Sequence, residues 1–306
     1  MTVFKVKGGA KLKGTLTPQG AKNEALQVLC AVLLTNKEVI IENLPNILDV
    51  NILIDLLKSL NVRVEKIKEN TYRFNANNVD INYLSSEEYK IKSSKIRGSI
   101  MIVGPLLARF GKGYIPQPGG DKIGRRRLDT HFTGFEKLGA KFIYDNKEEF
   151  YRVEGDNLKG NHLLLEEASV TGTANIVMAA SMANGKTTIY NAACEPYLQQ
   201  LCKMLNSMGA KISGVGSNLL KIEGVSQLNG CNHKVLPDMI EIGSFIGLAA
   251  ITKSEITIKN VSFKDLGIIP NIFQKLGIKI ELRGDDIFVP EQENYTIKSF
   301  IDGSIL

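Results

Sequence analysis

The stretch FEKLGAKFIY, residues 135–144, decides the fold. It reads as the end of an apolar helix, a glycine, and then an alternating run suited to a strand with one buried face. Glycine just past a helix supplies a left-handed cap without a Cβ penalty. The same sentence is written three more times, as LLKSLNVRVE (56–65), MLNSMGAKIS (204–213) and FQKLGIKIEL (273–282). Anchored on Leu60, Leu138, Met208 and Leu276, the four junctions lie 78, 70 and 68 residues apart. Asn61 stands where the other three carry Gly139, Gly209 and Gly277.

Working outward, what precedes each junction also recurs. NKEVIIENLP (36–45), GYIPQPGG (113–120), GKTTIYNAACEP (185–196) and SEITIKNV (254–261) each offer a turn, a short β-rich strand and another turn. Helical periodicity of roughly 15–20 residues then leads into the junction. Between units lie further helices of small and apolar residues, GSIMIVGPLLARF (98–110), GTANIVMAASMA (172–183) and EIGSFIGLAAIT (241–252). Each unit is thus β-α-β-α-β-β or close to it, an α/β repeat of about 70 residues. After Leu276 come two strand-like segments and no closing helix, with the last residues Ile305 and Leu306 both apolar. The expectation is a truncated or split product.

The bulk properties agree with a two-domain globular chain. Its 306 residues are 43% hydrophobic and 23% charged, which excludes disorder, collagen-like and coiled-coil classes. No apolar run approaches the roughly 20 residues of a membrane helix, and MTVFKVKGGAKLKG lacks the apolar core of a signal peptide. Cys30, Cys194, Cys202 and Cys231 are scattered, without C-x-x-C spacing. A cytoplasmic protein, with no membrane association, is expected. The net charge of +6 favours small anions. With 7% aromatics and no Trp, a stacking surface for nucleic acid is poorly supported.

Three stretches place costly polar residues beside apolar segments. In TPQGAKNEALQVLCAVLL (17–34), Lys22 and Asn23 stand where a helix begins, an arrangement that suits phosphate or carboxylate but equally fits a solvated first turn. In PGGDKIGRRRLDTH (118–131), glycines, Asp121 and three arginines fall within nine residues, as in a lid that handles anions; a charged surface loop is the plainer alternative. Asp129 and His131 follow two apart, as on a strand or loop edge. In EEASVTGTANI (166–176) and VLPDMIEIGSF (235–245), Ser169, Thr171, Thr173, Asp238 and Glu241 sit at helix starts, where capping explains them as well as ligand binding does. No metal-ligand cluster, P-loop, Rossmann fingerprint or G-x-S-x-G elbow is present in the sequence.

These segments, with FKVKGGAKLKGTLTPQGAKNEAL (4–26), IRGSIMIVGPLLARFG (96–111) and NAACEP (191–196), resemble the family of UDP-N-acetylglucosamine enolpyruvyl transferases in order and over essentially the whole chain. The resemblance implies an inside-out α/β barrel of two domains with three repeats each, four of the six being present here. Residues 22–230 would form the catalytic-loop domain, and 1–21 with 231–306 an incomplete first domain. It implies transfer of the enolpyruvyl group of phosphoenolpyruvate to the 3-hydroxyl of UDP-N-acetylglucosamine, opening peptidoglycan precursor synthesis, with no cofactor or metal and a monomeric enzyme.

Residue by residue, the similarity makes Lys22 and Asn23 contacts to phosphoenolpyruvate. It makes Arg97, Arg126, Arg127, Leu128, Asp129, Thr130, Ser169, Val170 and Thr171 contacts to the sugar nucleotide, with Arg126 also near the phosphate. Asp121 takes the lid position of the proton donor, which is Cys in many members and the site that the epoxide fosfomycin alkylates. An Asp that deprotonates the sugar hydroxyl and further arginines would belong to later repeats, past Leu306. The sister family acting on shikimate 3-phosphate shares the fold, but its characteristic segments are not seen. The alternative readings are an inactive remnant that at most binds UDP-sugar and, more distantly, a nucleic-acid binder.

Overall fold

A computed structural model describes residues 3–115, 127–145 and 150–299. The chain divides into two compact units, Lys22–Val235 and the pair of segments Met1–Ala21 with Leu236–Leu306. In chain order the first repeat is β1 (Lys13–Leu16), α1 (Lys22–Ala31), β2 (Glu38–Glu42), α2 (Leu48–Ser59), β3 (Arg63–Lys68) and β4 (Thr71–Asn75). The second holds α3 (Glu87–Ser93), a 3-10 stretch Arg97–Ile102, α4 (Val103–Phe110), β5 (Lys112–Ile115), α5 (Asp129–Lys137), β6 (Lys141–Asp145) and β7 (Phe150–Glu154). The third is β8 (His162–Leu164), α6 (Val170–Ala180), β9 (Lys186–Tyr190), α7 (Pro196–Ser207), β10 (Lys211–Ser213) and β11 (Leu219–Glu223). The fourth is β12 (Cys231–Lys234), α8 (Met239–Ile251), β13 (Glu255–Ile258), α9 (Ile269–Lys275), β14 (Glu281–Arg283) and β15 (Asp286–Val289).

The junctions that the sequence repeats are repeated atom for atom. Asn61, Gly139, Gly209 and Gly277 all have positive φ, from 63° to 100°. In each case the next amide reaches back five residues: Val62 N–H to Leu57 O, Ala140 to Phe135, Ala210 to Leu205 and Ile278 to Phe273, at 2.9–3.0 Å. That bond satisfies a helix-end carbonyl and turns the chain into the following strand. The helices that run into these caps hold 12, 9, 12 and 7 residues, shorter than the periodicity suggests. Proline near the start of α7 and α9 fixes where each can begin.

Among the described residues four separate sheets follow one plan. Within a repeat, the last two strands form an antiparallel hairpin, and the last strand also pairs antiparallel with the strand before the capped helix. This gives the orders β5-β7-β6, β10-β11-β9-β8, β12-β2-β4-β3 and β1-β13-β15-β14. The edge strand, where there is one, is parallel. In the third repeat it comes from the same repeat, β8 on β9. The first and fourth repeats exchange theirs: β12 pairs with β2 and β1 with β13. Residues 231–234, which the sequence reading placed with the first domain, therefore stand in the larger unit, held by Cys231↔Val39 to Lys234↔Glu42.

In the larger unit two helices lie inside. Helix α1 buries every residue from Glu24 to Ala31 and α6 every residue from Gly172 to Ala180. Helix α6 touches both α1 and α4. Gly104 on α4 is in close approach: a Cβ there would stand 2.3 Å from Asn175 O. In the smaller unit, α8 buries the stripe Ile242, Ile246, Ala249 and Ala250 against Ile256, Ile258, Ile287 and Val289. Ile240 and Ile251 at its two ends are exposed. Among the described residues no helix is long and apolar enough to cross a membrane.

Candidate active site

The site lies in the larger unit, where three helical segments begin around one cavity of about 730 Å³. Lys22 and Asn23 open α1, Arg97 and Gly98 open the 3-10 stretch before α4, and Ser169, Val170 and Thr171 open α6. Unsatisfied N–H groups at helix starts favour anions, and the volume is of the size that holds a substrate. Leu26, Met101 and Tyr197 give the cavity apolar wall.

Lys22 is half-exposed and paired. Its ammonium pairs with Asp49 Oδ2 at 2.6 Å, Asp49 lying in the first turn of α2. The exposed pair adds little to stability but fixes where the ammonium stands. Arg97 donates from Nη2 to Arg127 O at 3.0 Å. Arg127 in turn is ion-paired with Asp129, which strengthens the hold of its proton. Ser169 caps α6, its hydroxyl accepting from Gly172 N–H at 3.2 Å, and so serves the helix while it lines the cavity.

Beneath Thr171 is a buried polar chain that sequence reasoning missed. Asn175 Oδ1 accepts from Gly104 N–H at 2.7 Å, and its Nδ2 donates to Ile100 O at 2.9 Å and to His131 Nδ1 at 3.0 Å. His131 Nε2 lies 3.4 Å from Thr171 Oγ1. Burial lowers the His131 pKa to about 4, with the positive charge of Arg97 a secondary cause, so the ring is neutral at pH 7. The strand or loop edge expected for Asp129 and His131 is instead the first turn of α5. His131, Phe135 and Leu138 recur at helical spacing on its buried side, and Asp129 is favoured at its positive end.

Of the residues singled out from sequence, Lys22, Asn23, Arg97, Ser169, Val170 and Thr171 share the larger cavity. Arg127, Asp129 and Thr130 line a smaller one of about 190 Å³ with Leu164 to Glu167. Leu128 is half-buried at the cap position of α5 and lines neither of the two. Asp121 and Arg126 lie outside the described residues. Asp238 is the N-cap of α8, accepting from Ile240 and Glu241 N–H at 2.8 and 3.3 Å. Asp49, Gln27 and Tyr197 join the cavity wall without any local sequence signal to announce them.

Fold and site together have the form of an enolpyruvyl transferase. The family model for EPSP synthase (3-phosphoshikimate 1-carboxyvinyltransferase) matches residues 6–301, and the chain belongs to that family. Within it, the chain is 63% identical over all 306 residues to a UDP-N-acetylglucosamine 1-carboxyvinyltransferase of Bacteroides fragilis. It is 59% identical to that of Porphyromonas gingivalis. It spans 70% of the length of each. Among solved structures, the enolpyruvyl transferase NikO of Streptomyces tendae superposes with a TM-score of 0.79 at 16% identity, over 92% of this chain and 66% of that one. EPSP synthase of Acinetobacter baumannii gives 0.71 at 17% identity, over 93% of this chain and 66% of that one. At such identities the likeness establishes the fold.

Proposed function

We propose that this chain carries the activity of its 63%-identical relatives, moving the enolpyruvyl group of phosphoenolpyruvate onto the 3-hydroxyl of UDP-N-acetylglucosamine with release of phosphate. The observation that carries the proposal is the convergence of Lys22, Arg97 and the Ser169–Thr171 turn on one cavity, in a chain alike to those relatives over its whole length. Lys22 and Asn23 at the start of α1 take the phosphoenolpyruvate anion. Arg97 and Ser169 to Thr171 take the sugar nucleotide, joined by Arg126, Arg127, Leu128, Asp129 and Thr130. The reaction opens peptidoglycan precursor synthesis in the cytoplasm, where both substrates are made, and the protein acts as a monomer.

In the reaction, a proton delivered to the methylene carbon makes C2 of phosphoenolpyruvate electrophilic. The sugar 3-hydroxyl oxygen bonds to C2 as its own proton leaves, giving a tetrahedral adduct. The bond from C2 to the phosphate oxygen then breaks, and loss of a methyl proton restores the double bond. Asp121 is assigned the first proton, a task for a carboxyl whose pKa is raised. Fixed cationic groups such as Lys22 act by standing where negative charge is carried throughout.

The test is phosphate release from both substrates by this chain, with Lys22→Ala beside it. Loss of a charge-assisted contact worth roughly 1.5–3 kcal/mol lowers kcat/KM for phosphoenolpyruvate by about 10–100-fold. Equal kinetics in the two proteins would remove Lys22 from the site.

A further inference from the structure

Resting on the reading just given, we propose that His131 is a positioning residue that fixes the Thr171 hydroxyl as a hydrogen-bond donor to an acceptor oxygen of the sugar nucleotide. The argument starts from Asn175. Its amide has one possible orientation, because Gly104 N–H needs an acceptor and Ile100 O needs a donor. With the amide so placed, a donor faces His131 Nδ1, which must therefore be the unprotonated nitrogen. A neutral imidazole then carries its proton on Nε2, the atom facing Thr171 Oγ1 at 3.4 Å.

The Thr171 oxygen is thus already an acceptor, and its own proton is turned away from the ring. Among the described residues that proton has no hydrogen-bond acceptor. Thr171 is half-buried and lines the cavity beside Arg97 and Ser169. A hydroxyl held in this way presents a donor, where a freely rotating one would present either polarity. The chain of bonds runs from the α4 backbone through Asn175 and His131 to the cavity wall, and each buried member is satisfied by the next.

The test is a titration of this chain with UDP-N-acetylglucosamine. Thr171→Val, which keeps shape and removes the hydroxyl, is expected to weaken binding by roughly 10-fold or more, and Thr171→Ser to restore it. His131→Phe is expected to weaken binding when Thr171 is present and to have no further effect on top of Thr171→Val. Additive losses, or Thr171→Val binding like the parent, would overturn the inference. No binding by the parent chain would instead sink the functional reading on which it rests. Nitrogen NMR of the His131 ring separates the two failures, since it needs no ligand. A proton on Nδ1 in place of Nε2 overturns the inference by itself.

Discussion

Glu24 of α1 and His233 of β12, 209 residues apart in the chain, meet inside the larger unit with Nε2 donating to Oε1 at 2.8 Å. Glu24 has no exposed surface and His233 very little. The contact closes the unit where its chain enters against where its chain leaves. A buried acceptor or donor stripped of its partner costs about 1–3 kcal/mol. Glu24→Ala, which strips the buried imidazole of its acceptor, is therefore expected to lower unfolding stability by about 2 kcal/mol, and His233→Ala to lower it as well. The double variant should lose much less than the two added together, as urea titration of all four proteins will show.

Stability should fall in acid through His131. Its folded pKa of about 4 lies below the unfolded value near 6.5, so between these pH values the unfolded chain binds a proton that the folded one refuses. Stability is then fully present above pH 6.5, drains as pH falls, and levels off below pH 4. The contribution is on the order of 3 kcal/mol. Between pH 7 and pH 4 the parent should lose more stability than His131→Phe by a total of that order, and parallel curves would reject it.

Gly104→Ala should be disproportionately damaging for the addition of one methyl group. The new carbon would lie 2.3 Å from Asn175 O and 2.5 Å from Asn175 Oδ1, neither of them the free end of a flexible chain. Overpacking of this kind costs typically 1–3 kcal/mol. Gly139→Ala, with open space around its Cβ position, suffers only the strain of its positive φ. Thermal melts of the two variants are expected to rank Gly104→Ala as the worse.

Asp121 can be tested without reference to structure. As a proton donor it should be worth roughly 10²–10⁴-fold in kcat, lost in Asp121→Asn because an amide delivers no proton. Asp121→Cys should keep turnover and gain sensitivity to fosfomycin, since a thiolate attacks an epoxide far better than a carboxylate does. Cys30 and Cys202 are buried, with thiol pKa values driven up by burial, and offer no substitute target. A mass shift on any cysteine of the parent chain would contradict the assignment.

The four caps were legible because their chemistry is local: three glycines and one asparagine announce a left-handed residue whatever surrounds them. Lys22, Asn23 and the Ser169–Thr171 turn stood out because polar groups at the edge of an apolar helix demand a reason. Asn175 gave no such signal, and His131 drew notice only as a neighbour of Asp129, on an edge that is in fact a helix turn. Forty-four residues separate them, and each looks ordinary until α5 and α6 are packed together. The place of residues 231–234 was equally hidden, because a four-residue parallel edge carries no mark of whether β2 or β13 will receive it. Pairing at that distance is settled by packing, which a linear pattern does not encode.

The exchange of edge strands between the first and fourth repeats sets a clock on the ribosome. Lys13 pairs with Glu255, so β1 emerges 242 residues before the strand it will lie against. At roughly 5–20 residues per second, that is a wait on the order of 10–50 s. During it, the material for every sheet of the larger unit is delivered, β12 included, while the leading segment with its exposed Val3, Phe4 and Val6 stays without its sheet. Of the strands described, β1 is made before all the others yet is among the last to find its place, and whatever protects the nascent chain must protect this strand for that whole interval.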